Sequence, residues 1–170
     1  MLKHYFFSFL LLAAILFFGS VEVQAQSKWQ LGGAVSHGNK AENFGIHLRP
    51  AYKLFDRFHV TPSATFFFNT DIPINSELRV RSFNIDGNYF LDNKDSLFET
   101  YLLAGLNFTR RKIVSTDAAG FENTNKSVLR GLNLGAGANL RLLKNFAPFA
   151  EARYTVGGYS QFEIMAGVKF

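Results

Sequence analysis

Apolar and polar residues alternate with a period of two along most of the chain beyond its first 27 residues. The alternation is cleanest over 160–170. There Phe162, Ile164, Ala166, Val168 and Phe170 lie on one face, opposite Gln161, Glu163, Gly167 and Lys169, with Met165 the one exception. Side chains two apart share a face of a β-strand, so this stretch predicts a half-buried strand. The same reading predicts strands over 28–36, 44–55, 58–68, 78–91, 97–109, 128–142 and 146–156, making eight in all. In 44–55 the apolar face is Phe44, Ile46, Leu48, Pro50, Tyr52 and Leu54. Pro50 lacks an N–H for a ladder, so a bulge is predicted at that point. In 97–109 the run Tyr101-Leu102-Leu103 blurs the pattern. The outward set there is assigned to Phe98, Leu102, Ala104, Leu106 and Phe108.

The connections alternate in length. Longer polar segments at 37–43, 69–77 and 110–127 interleave with short turns at 56–57, 92–96 and 143–145, while Gly157-Gly158 makes the last hairpin turn. No later segment has 18 apolar residues in a row, so no helical membrane span is predicted. Residues 1–25 read as a cleaved secretory signal. Lys3 and His4 precede an apolar run, and the small residues Val23 and Ala25 precede Gln26. The expected mature domain is 26–170. Its charge stays at the +5 of the whole chain, because Lys3 and Glu22 leave together.

A chain closing on Phe170, with Phe162, Ile164 and Val168 at alternate positions before it, resembles the bacterial outer-membrane β-barrel proteins. In that family such a terminal strand is the signal read by the barrel-assembly machinery. The eight strands, with short turns at one end and longer loops at the other, resemble the small barrels related to the transmembrane domain of outer membrane protein A. The resemblance implies an all-β, eight-stranded, antiparallel up-and-down transmembrane barrel in the cell outer membrane. It also implies contact with outer-membrane lipid and lipopolysaccharide and a monomeric state; with the last strand ending at Phe170, no appended peptidoglycan-binding domain is expected. Aromatics fit two interfacial girdles: Trp29, Phe58, Tyr89, Phe98, Phe146 and Phe170 near the turns, and Phe44, Phe66, Phe68, Phe108 and Phe162 near the loops. A soluble barrel with its apolar face turned inward is the alternative. The charges on the second face and the absence of a Gly-x-Trp motif in the first strand weigh against it.

The polar face would then line the lumen. It carries His47, Arg49, Lys53, His59, Asp86, Glu99, Arg141, Glu151, Arg153, Glu163 and Lys169. Eight strands enclose a space that side chains fill, and charges there have to pair. The expectation is a salt-bridge network in which Arg49, Arg141 and Arg153 meet Asp86, Glu151 and Glu163, plugging the lumen. A narrow channel is the alternative. A lipid-modifying enzyme is the other, but no His-x-Ser occurs, Ser36-His37 stands in the reverse order, and no nucleophile, base and orienting group can be assembled. Cys is absent and the histidines have no ligand-like spacing, so neither metal nor cofactor is expected. Scattered basic residues argue against nucleic acid. One basic run stands out. Arg110, Arg111 and Lys112 open the longest loop, just past outward Phe108, and Lys126 and Arg130 close it. Arg matches phosphate by bidentate hydrogen bonds, so this run is the predicted lipopolysaccharide contact, with 116–125 reaching outward. The function expected is a structural or surface-interaction role.

Overall fold

The computed structural model describes residues 28–72, 76–91, 97–116, 122–141 and 146–170. The secretory signal read in 1–25, the turn 92–96 and the turn 143–145 lie outside the described residues. Nine strands follow in order: β1 (Trp29–Gly38), β2 (Asn43–Phe55), β3 (Phe58–Phe67), β4 (Thr70–Ile72), β5 (Ser76–Phe90), β6 (Phe98–Thr116), β7 (Glu122–Leu140), β8 (Ala147–Gly157) and β9 (Gln161–Lys169). All pairings are antiparallel, and the order β3-β2-β1-β9-β8-β7-β6-β5 is closed by β3 pairing with β5. The result is an eight-stranded barrel, with β4 a short addition to β5 at one rim. The first and last strands meet over Gly32↔Lys169 to Gly38↔Glu163, so no strand edge is left open in the wall itself.

The period-two pattern sets which side faces out. Leu48 is 51% exposed and its neighbour Arg49 is 1% exposed. Leu31, Val35, Ile85, Leu102, Leu134 and Ile164 are likewise exposed, while Thr61, Thr65, Asn84, Asn133 and Glu151 are buried. Apolar outside and polar inside inverts the usual protein. It suits a surface that meets hydrocarbon, and it overturns the soluble alternative. Leu102, Ala104, Leu106 and Phe108 of β6 all face outward, and Tyr101 and Leu103 face the lumen. The girdle rings touch: Trp29 lies 4.8 Å from Tyr52, and Phe146 lies 5.8 Å from Phe170.

Three features differ from the sequence reading. The segment 110–127 is largely strand. β6 and β7 stay in register from Arg110↔Val128 to Thr116↔Glu122, which leaves 117–121 between them, outside the described residues. The segment was read as a loop for want of an apolar face, but a strand standing beyond the bilayer needs none. Residues 69–77, also read as loop, contain β4 and the start of β5. Lastly, the bulge lies at Lys53/Phe55, not at Pro50. Pro50 pairs in regular register with Leu31 of β1. On its other side, Leu48↔Ala64 and Tyr52↔Val60 set Pro50 opposite Pro62 of β3, and the ladder skips the residues between.

Candidate functional site

The lumen is organised around Glu151, which β8 points inward between the outward Ala150 and Ala152. Arg49 Nη1 from β2 donates to Glu151 Oε2 at 2.5 Å, and Arg153 Nη2 from two residues along β8 donates to Oε1 at 2.5 Å. Tyr101 Oη adds a third donor to Oε2 at 2.7 Å. Arg153 reaches on to Asp86 Oδ2 at 3.2 Å, and Asn133 Nδ2 donates to Asp86 Oδ1 at 2.9 Å. The ion-paired side chains are all within 2% of full burial. A doubly shared carboxylate satisfied by further hydrogen bonds is the arrangement in which buried charge is tolerated.

A polar ladder continues toward the loop end. Asn107 and Asn133 both donate to Asn84 Oδ1, at 2.7 and 2.9 Å, and Asn84 donates to Ser63 at 3.2 Å. Thr155 donates to Asn133 at 2.8 Å. Glu163 accepts from Thr65 Oγ1 at 3.3 Å, and His47 Nδ1 lies 2.8 Å from the same hydroxyl. Lys169 is held at the turn end, donating to Asn139 at 2.6 Å with Tyr101 and Phe149 rings each 4.8 Å from its Nζ. Three basic side chains, Arg49, Arg153 and Lys169, and three acidic ones, Asp86, Glu151 and Glu163, are buried in this interior.

Apolar clusters lie toward both ends of this polar column. Phe90, Tyr101 and Leu103 cluster toward the turns. Ala41, Phe67, Leu78, Val80 and Tyr159, with Ile113 and Leu129 against them, cluster at the loop end. Burial pushes the Tyr159 hydroxyl up to about 12, and Lys40 Nζ sits 5.1 Å from its ring.

Of the predicted network, the structure brings together Arg49, Asp86, Glu151 and Arg153, while Glu163 stands opposite Arg153 in β9 and accepts from Thr65 without a salt bridge to an arginine among the described residues. Arg141 is not among them. It stands exposed at the turn-end rim, 3.3 Å from Glu99. Tyr101 and the Asn84–Asn107–Asn133 ladder were not anticipated. The run Arg110–Lys112 divides. Arg111 pairs with inward Val80 and turns to the inner face, while Arg110 and Lys112 face out. Outward, like charges meet directly across strands: Arg79 against Lys112 and Lys112 against Lys126, then Arg81 against Arg110 one row down. Arg79 also donates to Glu77 at 2.8 Å, which holds the Glu77 carboxyl below its ordinary value. Arg81 lies over the outward Phe66 ring at 6.0 Å, just above the loop-end girdle. Phe162, Ile164 and Phe170 lie exposed on the outer wall, with Val168 half-buried beside them.

A closed antiparallel barrel with an apolar outer belt, aromatic girdles and polar and charged side chains turned inward defines an integral β-barrel membrane protein. Its fold is that of the eight-stranded outer-membrane barrels. The N-terminal β-barrel domain of Pseudomonas aeruginosa OprF superposes with a TM-score of 0.65 at 17% identity, covering 85% of this chain and 97% of that one. Neisserial surface protein A gives 0.59 at 20% identity, covering 83% and 94%. A major outer membrane protein from Thermus thermophilus gives 0.65 at 14% identity, covering 84% and 97%. No protein-family profile and no curated protein sequence matches the chain.

Proposed function

We propose that the protein is a non-enzymatic barrel of the cell outer membrane, exported by a signal in 1–25, with a sealed lumen and a surface-interaction role at its loop end. The observation that carries the sealed lumen is the buried cluster of Arg49, Glu151, Arg153 and Asp86, spanning β2, β8 and β5 with no more than 2% of any of these side chains exposed. A hydrated path would need those groups to face water; they face one another. Purified protein in planar bilayers is expected to show no steady large conductance. Stable open channels in the wild type would overturn this reading in favour of the channel.

The outer face of the β5–β6–β7 extension supports a second element of this function. Like charges directly opposite across strands repel, so Arg79, Lys112 and Lys126, with Arg81 and Arg110, favour an anion spread over them. With the loop end outward, the patch lies at the height of lipopolysaccharide phosphates, directly above Phe66, Phe83 and Phe108. Replacing Arg81, Arg110 and Lys112 together by Gln is expected to lower co-purified lipopolysaccharide several-fold with the barrel still folded. Arg111→Gln, on the other face, is expected to leave it unchanged. Equal lipopolysaccharide in all three proteins would reduce the patch to a solvated rim.

A further inference from the structure

The barrel wall is closed, but its extension past the loop-end rim is not. β8 stops at Gly157, where Gly157 pairs with Gly131 of β7 and Gly158 N–H donates to Arg130 O at 3.0 Å. β7 begins nine positions earlier, at Glu122. Over 122–129 it pairs with β6 on one side and, among the described residues, with no strand on the other. The Arg130 carbonyl points to the β8 side, and backbone groups two residues apart point the same way. Hence the N–H and C=O of Val128, Lys126, Thr124 and Glu122 all face the open edge, along about 23 Å of strand. These four residues are exposed.

Natural edges are blunted by charged side chains, by proline, by a bulge or by cover, and of these the edge carries charge, at Glu122, Lys126 and Arg130. Here there is no proline between 122 and 130, and the β6–β7 register is unbroken. A cleft of about 360 Å³ lies on the inner face of the same stretch, lined by Ile113, Ser115, Asn123, Thr124, Asn125 and Lys126. The edge and the cleft form one surface: backbone donors and acceptors along its rim, and amide and hydroxyl groups behind them.

We propose that the loop-end edge of β7 receives an extended peptide segment of a partner protein, which adds to it as a further antiparallel strand. Main-chain hydrogen bonds supply affinity in such strand addition, and alternate side chains supply selectivity. On the outer face the edge presents Lys126, Val128 and Arg130, so the matching segment carries acidic, apolar and acidic residues at alternate positions. Its intervening side chains turn to the cleft, where Asn123, Asn125 and Ser115 suit small polar groups. A second copy in the same membrane fits poorly. A two-fold axis along the membrane normal keeps both β7 strands running the same way, so they do not meet antiparallel. This inference deepens the surface-interaction reading by naming the partner's chemistry, and it is independent of whether the lumen conducts.

The test uses the full chain in lipid nanodiscs. The probe is a labelled, end-blocked peptide of about eight residues in extended Asp-x-Val-x-Asp pattern, with Ser and Thr elsewhere, read by anisotropy. Wild-type barrel is expected to bind it. Val128→Pro and Thr124→Pro each delete an edge-facing N–H without touching the β6 ladder or any charge, and each is expected to weaken binding by about tenfold or more. Heat-modifiable gel mobility shows that these variants remain folded. Lys126→Glu is expected to shift preference toward the peptide with Lys in place of Asp. Failure of the wild type to bind overturns the proposal. So does equal binding by the proline variants, or equal binding of a scrambled peptide of the same charge, which would leave charge attraction alone. Conductance and lipopolysaccharide co-purification stay as in the wild type if only strand addition is lost.

Discussion

Replacing Glu151 by Ala is expected to destabilise the barrel by roughly 3–5 kcal/mol, because it leaves Arg49 and Arg153 buried without their shared carboxylate. The measurement is the urea midpoint of unfolding from lipid vesicles, followed by tryptophan emission from Trp29 and by gel mobility. Tyr101 loses its acceptor in the same variant, and Asp86 is left as the one carboxylate ion-paired with Arg153 in the cluster. Glu151→Gln keeps acceptor geometry for Tyr101 but removes the charge, so its cost is expected to fall between Ala and wild type. A loss below about 1 kcal/mol in the Ala variant would mean that water reaches these guanidinium groups and that the lumen is not sealed.

The second large effect is expected at Gly137. A Cβ placed there would stand 2.3 Å from Tyr101 Cζ and 2.4 Å from its hydroxyl oxygen, distances that no side chain tolerates. Gly137 is thus the gap in β7 into which the Tyr101 ring folds, and this fold brings the hydroxyl to Glu151. Gly137→Leu is expected to cost about 1–3 kcal/mol through overpacking, with a further loss of about 1.5–3 kcal/mol as the hydrogen bond to a charged group breaks. Combining Gly137→Leu with Tyr101→Ala should recover part of the loss, because the new side chain then occupies the vacated space. A double-mutant cycle measures that coupling, and strictly additive costs would show that the two residues do not share the site.

The wall of the barrel was legible because its pattern is local: each strand declares its own two faces. Depth is not local. Arg141 and Arg153 both sit at lumen-facing parity, and the sequence gives them equal standing. The stagger between strands decides that Arg153 lies beside Glu151 and Asp86, while Arg141 lies at the rim beside Glu99. Tyr101 was hidden by its apolar neighbours Leu102 and Leu103, which left no contrast between faces. The division of Arg110, Arg111 and Lys112 follows from strand parity alone. It was missed because a polar stretch was equated with a loop. Arg79 and Arg81 lie inside the strand read over 78–91, but only the register between strands sets them beside Lys112 and Arg110 on one basic face.

The meeting of Pro50 and Pro62 has a mechanical consequence. Two residues without N–H groups face each other across β2 and β3, so the hoop of backbone hydrogen bonds is thinnest at that seam. Lumen side chains at the same height tie strands together, both distant and neighbouring. Arg49 spans to Glu151 on β8, while Asn84 and Asn88 of β5 hold Ser63 and Thr61 of β3. Beside that seam, side chains supplement the ladder, across the lumen through Arg49 and around the wall through Asn84 and Asn88. The buried Arg49–Glu151 pair therefore also braces the wall, and its loss would slacken the seam beside it.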